Sequence, residues 1–281
     1  MNPNDFLTSA QGVKMPPIIY GTAWKGERTA ALVEQAINLG FRGIDTACQP
    51  RHYNESGAGD GVAACLRRGL DRSELYLQSK FTPFSGQDPE RVPYDANAGL
   101  SEQVAQSFQT SLKNLQTPYL DCLLLHSPLP DPRQLQEVWR AMEQIFHDDG
   151  ARQLGISNCC NLQQLQLLHG NATVKPAVIQ NRFYAETHYD RPLRDFCRQQ
   201  GIIYQSFWTL TANPTVLAHD TLQILAAKYQ RSAAQVFFRY LNQTGIIPLT
   251  GTTSEIHMKE DLAITDFELT EAECKAIEKL L

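Results

Sequence analysis

Three side chains that can hold or transfer a proton end three successive apolar runs of this sequence. Asp45 ends the run FRGID, Lys80 ends ELYLQSK and His126 ends YLDCLLLH. A lysine buried among apolar strands must be paired, because an unpaired buried charge is costly, and Asp45 is its natural counterion. Tyr53 follows Asp45 in the chain, and a protonated lysine beside a phenol lowers the phenol's pKa. Such a group could exchange a proton with a carbonyl oxygen that His126 orients.

Other interpretations of these residues remain open at this point. Each residue taken singly is more often structural, since strands end in polar loops. A second chemical interpretation makes Lys80 a Schiff-base nucleophile, which Asp45 disfavours because a nucleophilic lysine must be neutral. We expect no metal site: the seven histidines are scattered, and none has a partner at the spacing of zinc ligands.

Eight apolar runs alternate with amphipathic segments such as Thr29–Leu39 and Leu135–Phe146, which have the helical period. Strands that alternate with helices over 281 residues predict an α/β fold, a closed (β/α)8 TIM barrel in one domain over residues 1–281, with an open doubly wound sheet as the rival. In such a barrel the chemistry lies at the carboxyl ends of the strands. The predicted strands are Pro17–Gly21, Phe41–Asp45, Glu74–Lys80, Tyr119–His126, Arg152–Asn158, Ala177–Gln180, Gly201–Phe207 and Gly245–Thr250.

Glycine positions add two details to this barrel. Phe6–Met15 has a glycine near its middle and could form a short N-terminal β-hairpin across the bottom of the barrel. Gly40, Gly150 and Gly201 each follow a helical pattern just before a strand. That is where the glycine that ends a helix belongs, so we expect these three to terminate helices.

Composition narrows the class of protein. The chain is 42% hydrophobic and 20% charged with a net charge of −5, and it has no run rich in Lys or Arg, which argues against nucleic acid as a partner. Its apolar stretches have the length of strands and fall far short of a membrane helix. Seven cysteines without CxxC spacing fit a reducing compartment. We therefore expect a cytoplasmic protein that acts on a small molecule.

The sequence resembles the aldo-keto reductase family over nearly its whole length. The matching stretches are GFRGIDTA, LYLQSKF, YLDCLLLHSP, QLGISN, AVIQNRFY and IPLTGTT. The resemblance implies a (β/α)8 barrel that moves hydride from NAD(P)H to the carbonyl of an aldehyde or ketone. It also implies a catalytic tetrad that maps onto Asp45, Tyr53, Lys80 and His126, with Tyr53 as the general acid. The cluster Gly57–Gly61 is then a helix entry and no dinucleotide fingerprint.

The family pattern also implies positions for the cofactor and the substrate. Ser157, Asn158 and Gln180 would hydrogen-bond the nicotinamide carboxamide, and Phe207 would stack on its ring. Trp24 and Trp208 would line the substrate pocket. The remaining positions that the resemblance assigns to the cofactor are Thr22, Leu210, Thr250, His257, Glu260 and Asp261.

Two departures from the family pattern affect the catalytic and cofactor assignments. The stretch DTACQPRHYNE places His52 beside Tyr53, and an ungapped count selects His52, although the phenol suits the chemistry better. Leu249 and His257 stand where NADP-preferring members have a lysine and an arginine, and Asp261 could repel a 2′-phosphate. NADPH is therefore the cofactor that the family implies, with NADH as an alternative.

The pocket differs from the family pattern too, because Ser127 stands where an aromatic side chain is common. The chain ends at Leu281, so we expect no C-terminal loop over the pocket, and we expect the loop Phe81–Gly99 to cover another side through Phe84 and Tyr94. The leading hypothesis is an NAD(P)H-dependent carbonyl reductase that acts as a monomer. The alternative is a non-catalytic cofactor-binding barrel that serves as a redox sensor or partner subunit.

Overall fold

A closed barrel of eight parallel strands forms the centre of the computed structural model, which describes residues 6–281. The strands follow one another around the barrel in chain order, and the last pairs with the first through Leu249 and Ile19. The barrel strands are β3 (Ile19–Gly21), β4 (Gly43–Asp45), β5 (Tyr76–Phe81), β6 (Cys122–Leu125), β7 (Leu154–Ser157), β8 (Val178–Arg182), β9 (Ile203–Phe207) and β10 (Ile246–Thr250). The prediction of a (β/α)8 barrel is confirmed, and the open sheet is excluded.

Two short antiparallel strands, β1 (Leu7–Thr8) and β2 (Lys14–Met15), precede the barrel. Met15 is fully buried in a cluster with Ile19, Tyr76 and Leu124, which lie inside the barrel. The hairpin therefore closes the amino-terminal end of the barrel, and the prediction for Phe6–Met15 is confirmed.

Helices surround the barrel and bury apolar residues against the strands or against neighbouring helices. In the fourth helix, Asp131 caps the amino terminus by accepting from Arg133 N, and Val138 and Met142 are fully buried. The helices are α1 (Thr29–Leu39), α2 (Glu55–Arg67), α3 (Leu100–Leu115), α4 (Pro132–His147), α5 (Leu162–Asn171), α6 (Arg191–Gln200), α7 (Pro214–Ala218), α8 (Asp220–Tyr229), α9 (Ala233–Gln243), α10 (Glu255–Leu262) and α11 (Glu271–Glu278).

The three glycines expected to end helices behave differently from one another. Gly40 and Gly201 follow α1 and α6 with φ of 124° and 70°, as expected. The prediction for Gly150 is wrong, because the left-handed position after α4 is Asp149, with φ 58°. Gly150 is small for another reason: a Cβ there would lie 2.7 Å from the ring of Phe108.

Two glycines, Gly59 and Gly61, let α2 approach its neighbouring helices closely. A Cβ on Gly59 would lie 1.9 Å from the carbonyl oxygen of Asn114 at the end of α3, and one on Gly61 would lie 2.6 Å from Ala30 O in α1. The glycine cluster therefore serves helix packing. This agrees with the expectation that Gly57–Gly61 is no dinucleotide fingerprint.

Candidate active site

A buried ion pair forms the floor of the site. Lys80, near the carboxyl end of β5, donates to both carboxylate oxygens of Asp45 at 2.7 Å and to the carbonyl oxygen of Thr46 at 2.8 Å. The two side chains are 1% and 4% exposed. Burial lowers the pKa of Lys80, but Asp45 and Tyr53 outweigh it and raise that pKa above its ordinary value. The lysine is therefore charged at neutral pH, which disfavours the Schiff-base interpretation.

Glutamines inside the barrel hold the Asp45 carboxylate in place. Gln78 Nε2 and Gln180 Nε2 donate to Asp45 Oδ1 at 2.7 and 3.0 Å, and both also donate to Gln205 Oε1. The sequence analysis did not select Gln78 or Gln205. The spacing of Gln78 could have indicated its position. Gln78 lies two residues before Lys80, and alternate residues of a strand face the same side.

Tyr53 lies over this ion pair in the segment between β4 and α2. Its ring centroid is 5.2 Å from Lys80 Nζ and 5.9 Å from the centroid of the His126 ring. The neighbouring His52 packs its ring against Trp24 instead, with 4.0 Å between centroids. The geometry thus brings Tyr53 to Lys80, and the ungapped alternative His52 packs elsewhere.

The expected lowering of the Tyr53 pKa is not what the structure gives. Burial raises this pKa, and the Lys80 charge opposes burial without overcoming it. Asp45 explains part of the difference, because its negative charge also disfavours a phenolate. Tyr53 is consequently a protonated phenol at neutral pH, the state that a proton donor requires.

Glu55 anchors the segment that carries Tyr53. This buried carboxylate at the start of α2 accepts hydrogen bonds from Ser79 and, at 3.0 and 2.9 Å, from Ser111 and Asn114. Burial raises the pKa of Glu55, and these hydrogen bonds oppose that rise. Because Ser79 directly precedes Lys80, Glu55 ties the Tyr53 segment to the strand that carries the lysine.

His126, just after β6, faces Tyr53 across the site. Burial, with the charge of Lys80, holds the pKa of His126 well below its ordinary value, so the imidazole is neutral. Its Nδ1 lies 2.7 Å from Thr82 Oγ1. If the Thr82 hydroxyl donates to Nδ1, the ring proton is on Nε2, the nitrogen free to donate to a ligand. Thr82 was not selected from the sequence.

Above this floor opens a cavity of about 1050 Å³ at the carboxyl end of the barrel. Fourteen of the sixteen residues that the sequence assigned to catalysis, the cofactor or the pocket wall line it. Those that do are Trp24, Asp45, Tyr53, His126, Ser157, Asn158, Gln180, Phe207, Trp208, Leu210, Thr250, His257, Glu260 and Asp261. Lys80 lies beneath the cavity floor. Thr22 is fully buried behind the lining, where its hydroxyl donates to Asp45 O at 2.9 Å and supports β4.

Three polar side chains lie together at the ends of β7 and β8. Ser157 Oγ donates to Gln180 O at 2.8 Å, and Asn158 Nδ2 donates to His126 O at 2.8 Å. Asn158 adopts φ 55°, which asparagine tolerates better than most residues. Gln180 Oε1 accepts no hydrogen bond from the described residues and belongs to a side chain that lines the cavity.

The end of β10 forms another part of the cavity. Thr250 Oγ1 donates to Asp261 Oδ2 at 2.7 Å, and burial raises the pKa of Asp261 to about 6. Lys25, which the sequence analysis missed, lines the same cavity and donates to the carbonyl oxygen of Gly251. A cation thus lies next to the loop after β10, although Leu249 and His257 replace the expected lysine and arginine.

The rim of the cavity is aromatic and open. Trp24 and Trp208 are 69% and 49% exposed, and both have positive φ. The expectation that Tyr94 covers the cavity is wrong: Tyr94 is buried and donates to Thr82 O at 2.8 Å. From the loop Phe81–Gly99, Thr82 and Gly86 reach the cavity.

Two further properties of the described residues bear on other classes of site. Residues 6–281 contain no helix long and apolar enough to cross a bilayer. In the same range no three His, Cys, Asp or Glu side chains come together as a metal site would require.

Comparison with known proteins decides the family. The model of the aldo/keto reductase family matches residues 17–281. The chain belongs to the aldo-keto reductase family. Among its relatives, glyoxal reductase of Bacillus subtilis is 31% identical over 278 residues, which cover 98% of this chain and 92% of that protein. An NADPH-dependent codeinone reductase of Papaver somniferum is 30% identical and covers 98% of this chain and 88% of its own length.

Solved aldo-keto reductase structures agree with the barrel. The Brucella melitensis aldo/keto reductase superposes with a TM-score of 0.83 at 27% identity, covering 98% of this chain and 99% of that one. A Bombyx mori aldo-keto reductase in complex with NADP gives a TM-score of 0.81 at 26% identity, covering 98% and 92%. This aldo-keto reductase therefore has the fold of its family along nearly all of its length.

Proposed function

We infer that this aldo-keto reductase reduces the carbonyl group of an aldehyde or ketone to an alcohol, with NADPH as the hydride donor. The observation that carries the inference is the convergence of Asp45, Tyr53, Lys80 and His126 at the floor of the cavity. They come from four different chain segments, and each is held by hydrogen bonds or packing within the barrel.

The roles of these residues follow from their charges. Tyr53 donates its phenolic proton to the carbonyl oxygen as hydride reaches the carbonyl carbon, giving the alcohol and a phenolate. Lys80 then stabilises the phenolate, while Asp45 keeps the lysine protonated. His126, neutral with Nε2 free, donates a hydrogen bond that orients the carbonyl oxygen. Protonation of the phenolate from solvent restores the enzyme.

The residues present fit a nicotinamide dinucleotide, which supplies the hydride. Gln180 Oε1 has no partner among the described residues and can accept from a carboxamide N–H, with Ser157 and Asn158 beside it. Phe207 is partly exposed in the cavity and can cover a flat ring. A volume of about 1050 Å³ lies at the upper end of the range of ligand pockets, so it has room for a large cofactor.

We propose NADPH as the preferred cofactor and NADH as the alternative. NADPH is the cofactor of the family, and Lys25 beside the loop after β10 offers a cation to a cofactor phosphate. Asp261 opposes a 2′-phosphate, because a carboxyl with a pKa of about 6 is mostly ionised at neutral pH. Equilibrium dissociation constants for NADPH and NADH, measured side by side by quenching of tryptophan fluorescence, decide between them.

The function is tested by following cofactor oxidation with a panel of activated aldehydes, 4-nitrobenzaldehyde among them. Carbonyl-dependent oxidation supports the proposal. Tight cofactor binding with no turnover across the panel would instead favour the redox sensor or partner subunit. Trapping of an adduct on Lys80 by borohydride would favour the Schiff-base mechanism. Monomeric state and cytoplasmic location stay predictions from the sequence.

A further inference from the structure

One arginine at the rim of the cavity has no partner for its charge. Arg182, the last residue of β8, is half-buried and lines the cavity. Within residues 6–281, no carboxylate lies within 4.0 Å of its guanidinium, and its N–H groups donate to no protein atom. An arginine that lines a ligand cavity and has no carboxylate partner keeps its five N–H donors available for a ligand.

Two aromatic rings hold this guanidinium in place. Its central carbon lies 4.1 Å from the centroid of the Trp208 ring and 5.3 Å from that of Tyr184. Contacts with ring faces leave the N–H edge of a guanidinium free. The edge of Arg182 is therefore ordered before any ligand arrives, which reduces the entropy lost on binding.

The position of Arg182 relates it directly to the catalytic floor. Alternate residues of a strand face the same side, so Arg182 and Gln180 both face the barrel axis, about 6.6 Å apart along β8. Gln180 Nε2 is 3.0 Å from Asp45 Oδ1, which pairs with Lys80. Arg182 thus lies one layer above the ion pair, within reach of the far end of a small molecule whose carbonyl meets Tyr53.

Two other basic side chains, Lys25 and Arg51, also line the cavity. Lys25 donates to Gly251 O beside the loop after β10, whereas Arg51 is exposed and, among the described residues, has no aromatic ring against its guanidinium. The carboxylate of Asp190 accepts from Asn181 and Tyr204 at 2.8 and 2.9 Å on the outer side of β8. Of these three cations, Arg182 is the one whose guanidinium has both free N–H groups and aromatic rings that hold it in place.

We propose that Arg182 binds a carboxylate of the carbonyl substrate, so that the preferred substrates are aldehydes or ketones that carry an acid group. The planar N–H edge of the guanidinium matches the two oxygens of a carboxylate. A phosphate monoester shares this chemistry, and the test below separates the two. The inference rests on the proposed carbonyl reduction for its substrate class.

A matched pair of substrates tests the charge alone. 4-Carboxybenzaldehyde and its methyl ester share the ring and the aldehyde, and we expect the wild-type kcat/KM to be about 10- to 100-fold higher for the acid. Arg182→Met should remove this preference while leaving the ester unchanged within about twofold. Arg182→Lys should keep part of it. Arg152→Met is the control, because Arg152 stacks on Tyr119 at 4.9 Å near the start of β7, at the opposite end of the barrel.

Several results overturn the inference. Equal kcat/KM for acid and ester in the wild type would do so, as would a preference for 4-formylphenyl phosphate over the acid. A loss of NADPH affinity in Arg182→Met, with both aldehydes affected equally, would assign Arg182 to the cofactor. Calorimetry that compares the binding of benzoate with that of benzamide tests the anion site without turnover. If no aldehyde reacts, the proposed function fails. Selective binding of benzoate that depends on Arg182 would still support the anion site.

Discussion

Breaking the Asp45–Lys80 pair from one side should destabilise the fold more than removing both charges together. Loss of one member of a buried ion pair typically costs about 3–5 kcal/mol, because the other charge stays buried without compensation. After Asp45→Asn, Lys80 keeps only neutral acceptors such as Thr46 O at 2.8 Å and loses its counterion, so we expect the upper end of that range. After Lys80→Met, Asp45 keeps donors from Gln78 and Gln180, and we expect the lower end.

The double variant Asp45→Asn/Lys80→Met carries no buried charge, and we expect it to be more stable than Asp45→Asn alone. The coupling free energy between the two sites should exceed about 2 kcal/mol, well above the 0.5 kcal/mol within which independent sites add. Equilibrium urea unfolding of the wild type, both single variants and the double variant measures it, provided that the m-values agree. Additive losses would refute the reasoning. None of the three variants should reduce aldehydes at the wild-type rate.

Three further predictions concern stability and the His126 proton. Burial raises the pKa of Asp261 from 3.8 to about 6. The protonated carboxyl therefore contributes stability below pH 4, and this contribution is lost as the pH rises through 6. In urea unfolding at pH 7, Asp261→Asn should recover up to about 3 kcal/mol of the free energy of unfolding. Thr82→Val should lower kcat for an aldehyde about tenfold without weakening NADPH binding, because His126 loses the partner of Nδ1. Gly59→Ala should destabilise the fold by about 1–3 kcal/mol through its clash with α3, measured in the same way.

Each of these predictions has its own control. If Asp261→Asn shows the same pH dependence of stability as the wild type, Asp261 is not the titrating group. Thr82→Ser keeps the hydroxyl and should retain activity; equal loss in both Thr82 variants would contradict the proton assignment. Gly170→Ala, in α5 with open space around the new Cβ, should be tolerated, and an equal loss there would contradict the packing explanation for Gly59.

The fold could be predicted because each strand carries its own apolar run and each helix its own period. Each of the eight predicted runs overlaps one barrel strand, with ends that differ by up to three residues, and β5 and β8 extend past the predicted ends to Phe81 and Arg182. Terminal residues were less predictable, since they depend on tertiary contacts. Gly150 shows why: its sequence position suits a helix end, yet the contact with Phe108 in α3 accounts for its size.

The part of the site that could be predicted consists of the residues at or just after the ends of strands. The structure brings Asp45, Tyr53, Lys80 and His126 together at the floor of the cavity. The supporting residues could not be predicted, because Gln78 and Thr82 act through partners more than 30 residues away in the chain. The predicted direction of the Tyr53 pKa shift was wrong for a related reason. The effect of a neighbouring lysine can be expected from the sequence, but the burial that raises this pKa depends on the complete fold.

Single-turnover kinetics of Tyr53→Phe test the central claim most directly. Removing one hydroxyl from the cavity floor should slow hydride transfer from bound NADPH to 4-nitrobenzaldehyde by at least about 100-fold, since a positioned general acid contributes 10²–10⁴-fold. The NADPH dissociation constant should stay within about twofold, and His52→Phe should lose far less, because that ring packs on Trp24. Hydride transfer at the full rate in Tyr53→Phe would contradict the account.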